Sequence, residues 1–469
     1  MIESDYVVVG AGAMGMAFVD TILTETDATV TLLDRRARPG GHWNVAYPFV
    51  RLHQPSAFYG VPSAPLGSGT IDGYGWNEGL YELASGPEVV GYFDTVLRER
   101  FLPSGRVTFL PMTDYRGGDR AVSLLTGEEV TVRARRRFVD ATYMDVSVPA
   151  MRPPAYEVAP EVLAGPVNRL GELHTPPDRY VIVGAGKTGA DACLWLLANG
   201  TDPDRITWIM PRDSWYLDRS HIQPGQFADR SIGLFASQSE HLAASTSITD
   251  LFERLESSGS LLRLDPAVTP TMYRCSTVTV AELEQLKRIE RVVRAGRVRK
   301  IGPQLIELDD GIEPTTPSTF HVDCSADGLA RRPPVPIFTE GRLTLQAVRQ
   351  CQQVFSAALI AKVEALDLDD DERNARCGVV PHPDRDTDWI RAWLDGIRNT
   401  LAWRSDESLT AWLTHCRLDP FSRPEPPSAE AAEAFNRTVQ VLFAAIERAE
   451  AYVEELDRLE AEPAPTPAG

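Results

Sequence analysis

Two segments of the sequence carry the same glycine pattern, and each is suited to holding a phosphate-rich ligand. Residues 6–15 read Tyr-Val-Val-Val-Gly-Ala-Gly-Ala-Met-Gly. Four apolar residues make a buried parallel strand. Gly10, Gly12 and Gly15 then form G-x-G-x-x-G. Gly10 permits the tight turn, Gly12 lets a pyrophosphate approach the backbone, and Gly15 lets the following helix pack on the strand. That helix, predicted from Ala13 to Thr26, aims its N-terminal N–H groups and positive dipole end at the phosphate. A second strand, Thr29 to Leu33, ends at Asp34, near the roughly 20-residue offset of an acid that accepts from ribose hydroxyls.

The pattern recurs at 180–189 as Tyr-Val-Ile-Val-Gly-Ala-Gly-Lys-Thr-Gly, with Gly184, Gly186 and Gly189 in the same three roles. The helix after it is expected to stop at Asn199-Gly200. The next strand, Arg205 to Met210, ends in Pro211-Arg212. An arginine there suits a 2′-phosphate, so the second nucleotide reads as NADPH rather than NADH. The alternative leaves Arg212 as a solvated arginine and gives the ribose to Asp213. Lys187 and Thr188 sit inside the loop, where Lys187 would hold a phosphate. Gly186-Lys187-Thr188 fails as a triphosphate-binding loop, because Val181 stands where that motif needs a glycine.

Two dinucleotide folds in one chain point to one flavin and one nicotinamide, FAD and NADPH. The chemistry is then the cofactors' own. No G-x-S-x-G elbow occurs to suggest a serine nucleophile. The six cysteines, Cys193, Cys275, Cys324, Cys351, Cys377 and Cys416, form no tight pair, so they are expected as buried or free thiols in a reducing cytoplasm. The eight histidines have no metal-ligand spacing, and no metal site is expected.

The fold class that positions these loops is α/β, with two Rossmann-like dinucleotide-binding domains and a C-terminal helical extension. The FAD-binding domain is placed at 1–150, with a Gly-, Pro- and Ser-rich loop over 48–86. The NADPH-binding domain covers 178–330, with helical insertions near 238–258 and 279–293. Residues 331–366 return to the first domain through a long helix, Leu343 to Leu366. The extension covers 367–460, beginning in an acidic solvated loop, and 461–469 is a disordered tail. Trp389, Trp393, Trp403 and Trp412 are expected to pack a core. From Ser428 to about Glu460 runs one helix. Phe435, Val439, Leu442, Ile446, Ala449, Val453 and Leu456 make a heptad seam on it, facing either the body or a second copy in a homodimer.

Composition sets outer limits. The 469 residues include 47 Lys plus Arg against 66 Asp plus Glu, a net charge of −19, and the only lysines are Lys187, Lys287, Lys300 and Lys362. Nucleic acid and anionic membranes both need a basic face and are not expected as partners. No run of 18 apolar residues occurs, and the N-terminus lacks a basic leader, so a cytoplasmic protein is expected.

After Asp34 comes Arg35-Arg36-Ala37-Arg38-Pro39-Gly40-Gly41-His42-Trp43. This Gly-Gly-x-Trp segment resembles the flavin-containing monooxygenases and Baeyer–Villiger monooxygenases, class B flavoproteins. In these, the glycines pass close to the flavin and the tryptophan packs nearby. The continuation through Asn44, Tyr47-Pro48, Arg51 and Ser56 resembles the Baeyer–Villiger pattern, shortened by one residue, with His53 where those enzymes carry an aspartate. Phe138 to Tyr143 and Val322 to Gly328 resemble the segments by which such chains leave the FAD domain and return from the NADPH domain.

The resemblance covers about residues 5–366. It implies that NADPH reduces FAD and that a flavin C4a-hydroperoxide then transfers one oxygen of dioxygen to a small organic substrate. Gly41 and Trp43 would contact the cofactor, and Arg51, His53 and Gln54 would border the reacting ring. His53 would hydrogen-bond the peroxide or govern its proton. Arg219 and His221 would reach the cleft. Two alternatives share the fingerprints: an NADPH-dependent flavin reductase or dehydrogenase without oxygen insertion, and a non-catalytic dinucleotide sensor. Disulfide reductases also share the architecture, but the C-x-x-x-x-C of their flavin-side helix is missing.

Overall fold

The computed structural model describes residues 1–422 and 428–461. The tail expected at 461–469 lies, beyond Ala461, outside the described residues. A mostly parallel sheet, a wholly parallel one, two smaller sheets and a helical body make up the described residues. In the first sheet Ile2–Val9 lies between Val30–Leu33 and Glu129–Asp140. Val107–Leu110 continues one edge, and Arg342–Thr344 with Phe338–Thr339 closes the other. Tyr6 pairs with Val30 and Val9 with Leu33, so both parallel strands end level with the first glycine turn. Thr113–Gly117 and Arg120–Ser123 form an antiparallel meander feeding Glu129–Asp140. The helices Ala13–Glu25 and Gln353–Glu364 pack on each other over this sheet. Gln353–Glu364 is buried almost all round, as expected of a helix inside a core.

The second sheet is wholly parallel, in the order Val292–Val293, Ile206–Ile209, Arg179–Val183, Thr319–Asp323, Ala164–Pro166. Its glycine helix is Lys187–Ala198. Val298–Ile301, Leu305–Leu308 and Gly311–Pro314 make an antiparallel flap beside it. Each sheet thus places one G-x-G-x-x-G turn at the carboxyl ends of its strands, where open α/β sheets bind ligands.

A third core joins the strand pair Ser214–Asp218 and Met272–Val278 to Asp229–Ala244, Ile248–Ser257, Asp388–Arg404 and Ala429–Ala461. Trp389 and Trp393 are buried here, while Trp403 and Trp412 pack in the first core, as core tryptophans. Leu442, Ile446, Ala449, Val453 and Leu456 of the heptad seam pack against this body rather than being held free for a second copy. Phe435 and Val439 remain exposed.

Two arginines fasten the extension to the first domain. Arg417 donates to the carbonyls of Ala57, Tyr59 and Val61 in the long loop. Arg349 forms a buried ion pair with Asp419 at 2.5 Å, its guanidinium 4.3 Å from the centre of the Phe355 ring.

Two expectations fail. The helix placed at Leu343–Leu366 begins only at Gln353. Leu343 and Thr344 belong to a strand, and the Gln346 amide bonds both the N–H and the carbonyl of Val335, holding the segment in an irregular course. Ser356 Oγ accepts from Val348 N–H, and Gln350 has φ +41°, so helix cannot extend back through it. The acidic loop is a short helix, Asp370–Arg376, capped by Asp369, and Asp370 is bonded to Arg137 rather than free in solvent.

Candidate cofactor-binding cleft

The first glycine loop is as tight as its sequence requires. Gly10 has φ +103°, and a Cβ on Gly15 would lie 2.0 Å from the Gly10 carbonyl oxygen. The second repeats this: Gly184 has φ +130°, and a Cβ on Gly189 would lie 2.2 Å from the Gly184 oxygen. Trp208 Nε1 donates to that same oxygen at 2.8 Å, bracing the turn from beneath. By contrast, a Cβ on Gly186 would meet nothing within 4 Å, so open space lies over the middle of the second loop.

The helix starts show what these loops lack. Ser85, Ser247, Thr279, Asp369 and Asp406 each cap a helix by accepting from its first turn. The helices opening at Gly12 and Gly186 have no side-chain cap. Their first-turn donors are left for an anion, and the dipole favours one.

Asp34 stands at the rim of the first loop. Its Oδ2 accepts from Ala11 N–H and its Oδ1 from Arg36 N–H, both at 2.7 Å. Each oxygen keeps a second lone pair for a ribose hydroxyl. Burial raises its pKa, against the pull of the two N–H groups. Gly40 N–H bonds Ala11 oxygen at 2.9 Å, and a Cβ on Gly41 would come within 3.1 Å of the Gly12 Cα. The Gly-Gly segment therefore lies directly on the first loop. Trp43 follows, its indole N–H donating to the Tyr59 hydroxyl at 2.7 Å while its ring packs on both the first and second cores.

At the second loop, Lys187 is ion-paired with Asp191 one turn along its helix, and the Tyr47 hydroxyl bonds the same carboxylate oxygen. Thr188 sits beside Tyr47. Tyr47 thus ties the segment after Trp43 to the second glycine helix. Arg212 and Asp213 part company. Asp213 is buried and held by Arg294 in a bidentate pair at 2.7 and 2.9 Å. Arg212 faces outward to Asp384 at 2.9 Å, and Arg274 and Arg331 converge on the same carboxylate oxygen at 2.5 and 3.0 Å. Three guanidinium groups thus surround one carboxylate, an arrangement with positive charge to spare for a phosphate.

The three candidate ring neighbours separate. His53 is held between the two halves: its Nδ1 accepts from Thr277 N–H at 3.3 Å and its carbonyl accepts from Arg219 at 2.9 Å. Burial, then Lys187 and Arg219, lower its pKa to about 3. The imidazole is therefore neutral, with Nδ1 as acceptor and the proton on Nε2. Gln54 lines a small cavity with Phe58, Ile222, Gln352, Val354 and Leu418. Arg51 is exposed on the rim and bonds the Leu83 carbonyl at 3.3 Å, so it does not join the other two.

Arg219 is not presented to the cleft either. Its three nitrogens bond His53 oxygen, Asn77 Oδ1 and Glu282 Oε2, which makes it a buried clamp on the His53 loop. His221 is mostly buried, and its Nδ1 has no hydrogen-bond partner.

Sequence reading missed a further group. At the start of Gln353–Glu364, Gln352 Oε1 and both amide ends of Gln353 are buried without a hydrogen-bond partner. Buried amides in this state cost free energy unless a ligand meets them. Glutamine pairs carry no sequence signature, and only the fold brings Gln352 to Gln54.

A family description, NAD(P)-binding Rossmann-like domain, matches residues 8–48. The uncharacterized protein Rv2000 of Mycobacterium tuberculosis strain H37Rv is 52% identical over 441 residues, covering 94% of this chain and 82% of that protein. The chain belongs to the Rv2000 family. Mb2023 of Mycobacterium bovis matches the Rv2000-family chain to the same extent. Among solved structures, the OTEMO complex with FAD and NADP superposes with a TM-score of 0.50 at 15% identity, covering 77% of this chain and 83% of that one. Steroid monooxygenase bound to NADP gives a TM-score of 0.48 at 15% identity, covering 77% and 85%. The OTEMO likeness establishes the fold: the Rv2000-family chain has the two-sheet, Rossmann-like α/β architecture with a helical C-terminus. No helix among the described residues is long and apolar enough to cross a membrane.

Proposed function

We propose that this Rv2000-family protein is an NADPH-dependent FAD monooxygenase acting on a small organic substrate with dioxygen. What supports the reading is a set of unmet groups: two glycine-loop helices without side-chain caps, and the orphaned Gln352–Gln353 amides at a third helix start. These fit a dinucleotide at each loop and the polar edge of a flavin ring at the third helix. Residues 1–150 with 331–366 form the FAD domain, residues 178–330 the NADPH domain, and 367–460 the helical extension. Gly10, Gly12 and Gly15 cradle the FAD pyrophosphate, with Asp34 on its ribose and Gly41 and Trp43 alongside. Gly184, Gly186 and Gly189, with Lys187 and Thr188, take the NADPH pyrophosphate, and Arg212 takes the 2′-phosphate.

FAD, when bound, supplies two-electron transfer from NADPH and the activation of dioxygen. The chain's own part is orientation and exclusion. His53 offers a neutral Nε2–H that cannot release a proton at working pH. Gln54 and Gln352 provide amides at the cavity wall. Phe58, Ile222, Val354 and Leu418 exclude water from it. Tyr47, bonded across to Asp191, keeps the nicotinamide-side loop against the flavin-side loop.

The test is an aerobic NADPH assay against an amine, a sulfide and a ketone, under isotopically labelled dioxygen. One labelled oxygen atom in the product for each NADPH consumed supports the proposal. Substrate-dependent NADPH oxidation without an oxygenated product would make the protein a reductase or dehydrogenase. Cofactor binding without any bleaching of the flavin by NADPH would make it a sensor.

A further inference from the structure

The expectation of six free thiols is wrong for two of them. Cys275 and Cys351, 76 positions apart, are joined as a disulfide with Cα atoms 6.4 Å apart. No spacing rule finds such a pair, because the topology alone brings it together. The remaining four, Cys193, Cys324, Cys377 and Cys416, are buried thiols whose pKa burial pushes up, which makes them poor nucleophiles. The bond is thus a single bridge among reduced cysteines and not part of an oxidised framework.

Its position is the informative part. Cys275 lies on Met272–Val278, two residues before Thr277, whose N–H holds His53. Cys351 directly precedes Gln352 and Gln353, the orphaned amides at the third helix start. The bridge therefore ties the strand that holds His53 to the helix start that carries those amides. The backbone is strained on both sides: Cys275 has φ +54° and Gln350 has φ +41°. Non-glycine residues keep such conformations only where the surroundings hold them. The two sulfurs differ in access. Cys275 is buried, Cys351 is half-buried, and His382 Nδ1 lies 3.9 Å from Cys351 Sγ.

We propose that Cys275–Cys351 is a reversible redox site that exchanges with a dithiol and whose reduction releases the two walls of the cleft from each other. An incoming thiolate attacks the more accessible Cys351 Sγ, and the Cys275 thiolate leaves. The second thiol of the reductant then attacks the mixed disulfide and frees Cys351. In balance, the reductant gives up two electrons and two protons and becomes a disulfide, and the protein gains two thiols. Once opened, the segments at 272–278 and 350–353 relax toward ordinary backbone conformations. The thiol chemistry stands without any cofactor, whereas its effect on the flavin rests on the function proposed above.

The experiment needs no turnover. Native full-length protein is equilibrated in dithiothreitol redox buffers, alkylated and mapped by mass spectrometry. Cys275 and Cys351 should become labelled together and reversibly, with Cys193, Cys324, Cys377 and Cys416 protected throughout. Hydrogen exchange in peptides spanning 272–278 and 345–353 should rise about tenfold on reduction. The C275S/C351S variant should exchange at the reduced rate in both buffers. Three results would each overturn the proposal: both cysteines labelled without reductant, a bond that opens only when the whole chain unfolds, or exchange unchanged on reduction. A monooxygenase assay that fails while these readouts hold would refute the function and leave the redox site standing.

Discussion

Replacing Arg212 by alanine tests which nucleotide the second loop selects. Arg212 shares one oxygen of Asp384 with Arg274 and Arg331, and Arg274 also lies 3.6 Å from Asp327. Three guanidinium groups sharing one carboxylate oxygen leave N–H donors for a 2′-phosphate. A hydrogen bond to a charged group contributes about 1.5–3 kcal/mol. Arg212 is 33% exposed and two arginines survive its loss, so part of that value is screened or replaced. The expected cost is then about 1–2 kcal/mol, or about 5- to 30-fold in the Kd for NADP+. NAD+ has no 2′-phosphate and should bind R212A within about twofold of the parent. Titration calorimetry with both nucleotides at low and high salt measures this, and the NADP+ preference should shrink as salt rises. Equal weakening of NADP+ and NAD+ would refute the assignment of Arg212 to the 2′-phosphate and place its role in folding.

Gly189→Ala should cost more than about 3 kcal/mol and lower Tm, because its methyl would overlap the Gly184 carbonyl oxygen. Gly186→Ala should leave Tm unchanged yet weaken NADP+ binding by about tenfold, since its methyl enters only the open space a pyrophosphate would fill. For His53 the folded pKa lies near 3, below its ordinary value, so the unfolded chain takes up a proton first as pH falls. Its share of the stability should fall between pH 6.5 and 3, by about 2 kcal/mol at pH 5, and urea midpoints should show that H53Q removes that share while His42 and His382 keep a remaining slope. Burial raises the Asp384 pKa, but hydrogen bonds from Arg212 and Arg274 outweigh it and bring the value to about 2. Its stabilisation is present above pH 4 and lost as pH drops from 4 to 2. After solvent screening it amounts to about 1 kcal/mol, absent in D384N, and acid unfolding of the two proteins compares it.

The parts legible in sequence were those built by local spacing. Both glycine loops, the acid at Asp34 and the strand–turn–helix units around them needed only neighbours within about 25 positions to be recognised. The Trp389, Trp393 and Trp403 cores and the long final helix followed from apolar content. What sequence left dark was assembled across the chain. Arg212 could be noted, but not Arg274, Arg331 and Asp384 converging with it. Nor could the bidentate pairing of Asp213 with Arg294 be seen. The start of Gln353–Glu364 was misplaced because Leu343, Leu345 and Val348 look helical by hydrophobicity. They are instead buried in a strand and a loop whose N–H groups bond elsewhere, Leu345 N–H to the Asp140 carbonyl and Val348 N–H to Ser356 Oγ. Cys275 and Cys351 were invisible as a pair for the same reason.

Arg417 and Arg349 change what the C-terminal third is for. Arg417 carries its charge into a mostly buried site, where three loop carbonyls and the Tyr92 hydroxyl replace water. Removing either partner of the Arg349–Asp419 pair would strand a buried charge. Both anchors hold segments that border the cleft, the loop at 57–61 and the start of Gln353–Glu364. The extension and the first glycine domain should therefore melt as one cooperative unit, in a single transition. A cofactor bound only at the first domain would then raise the protection of amides in the distant final helix, by the same linkage that stabilises its own loop.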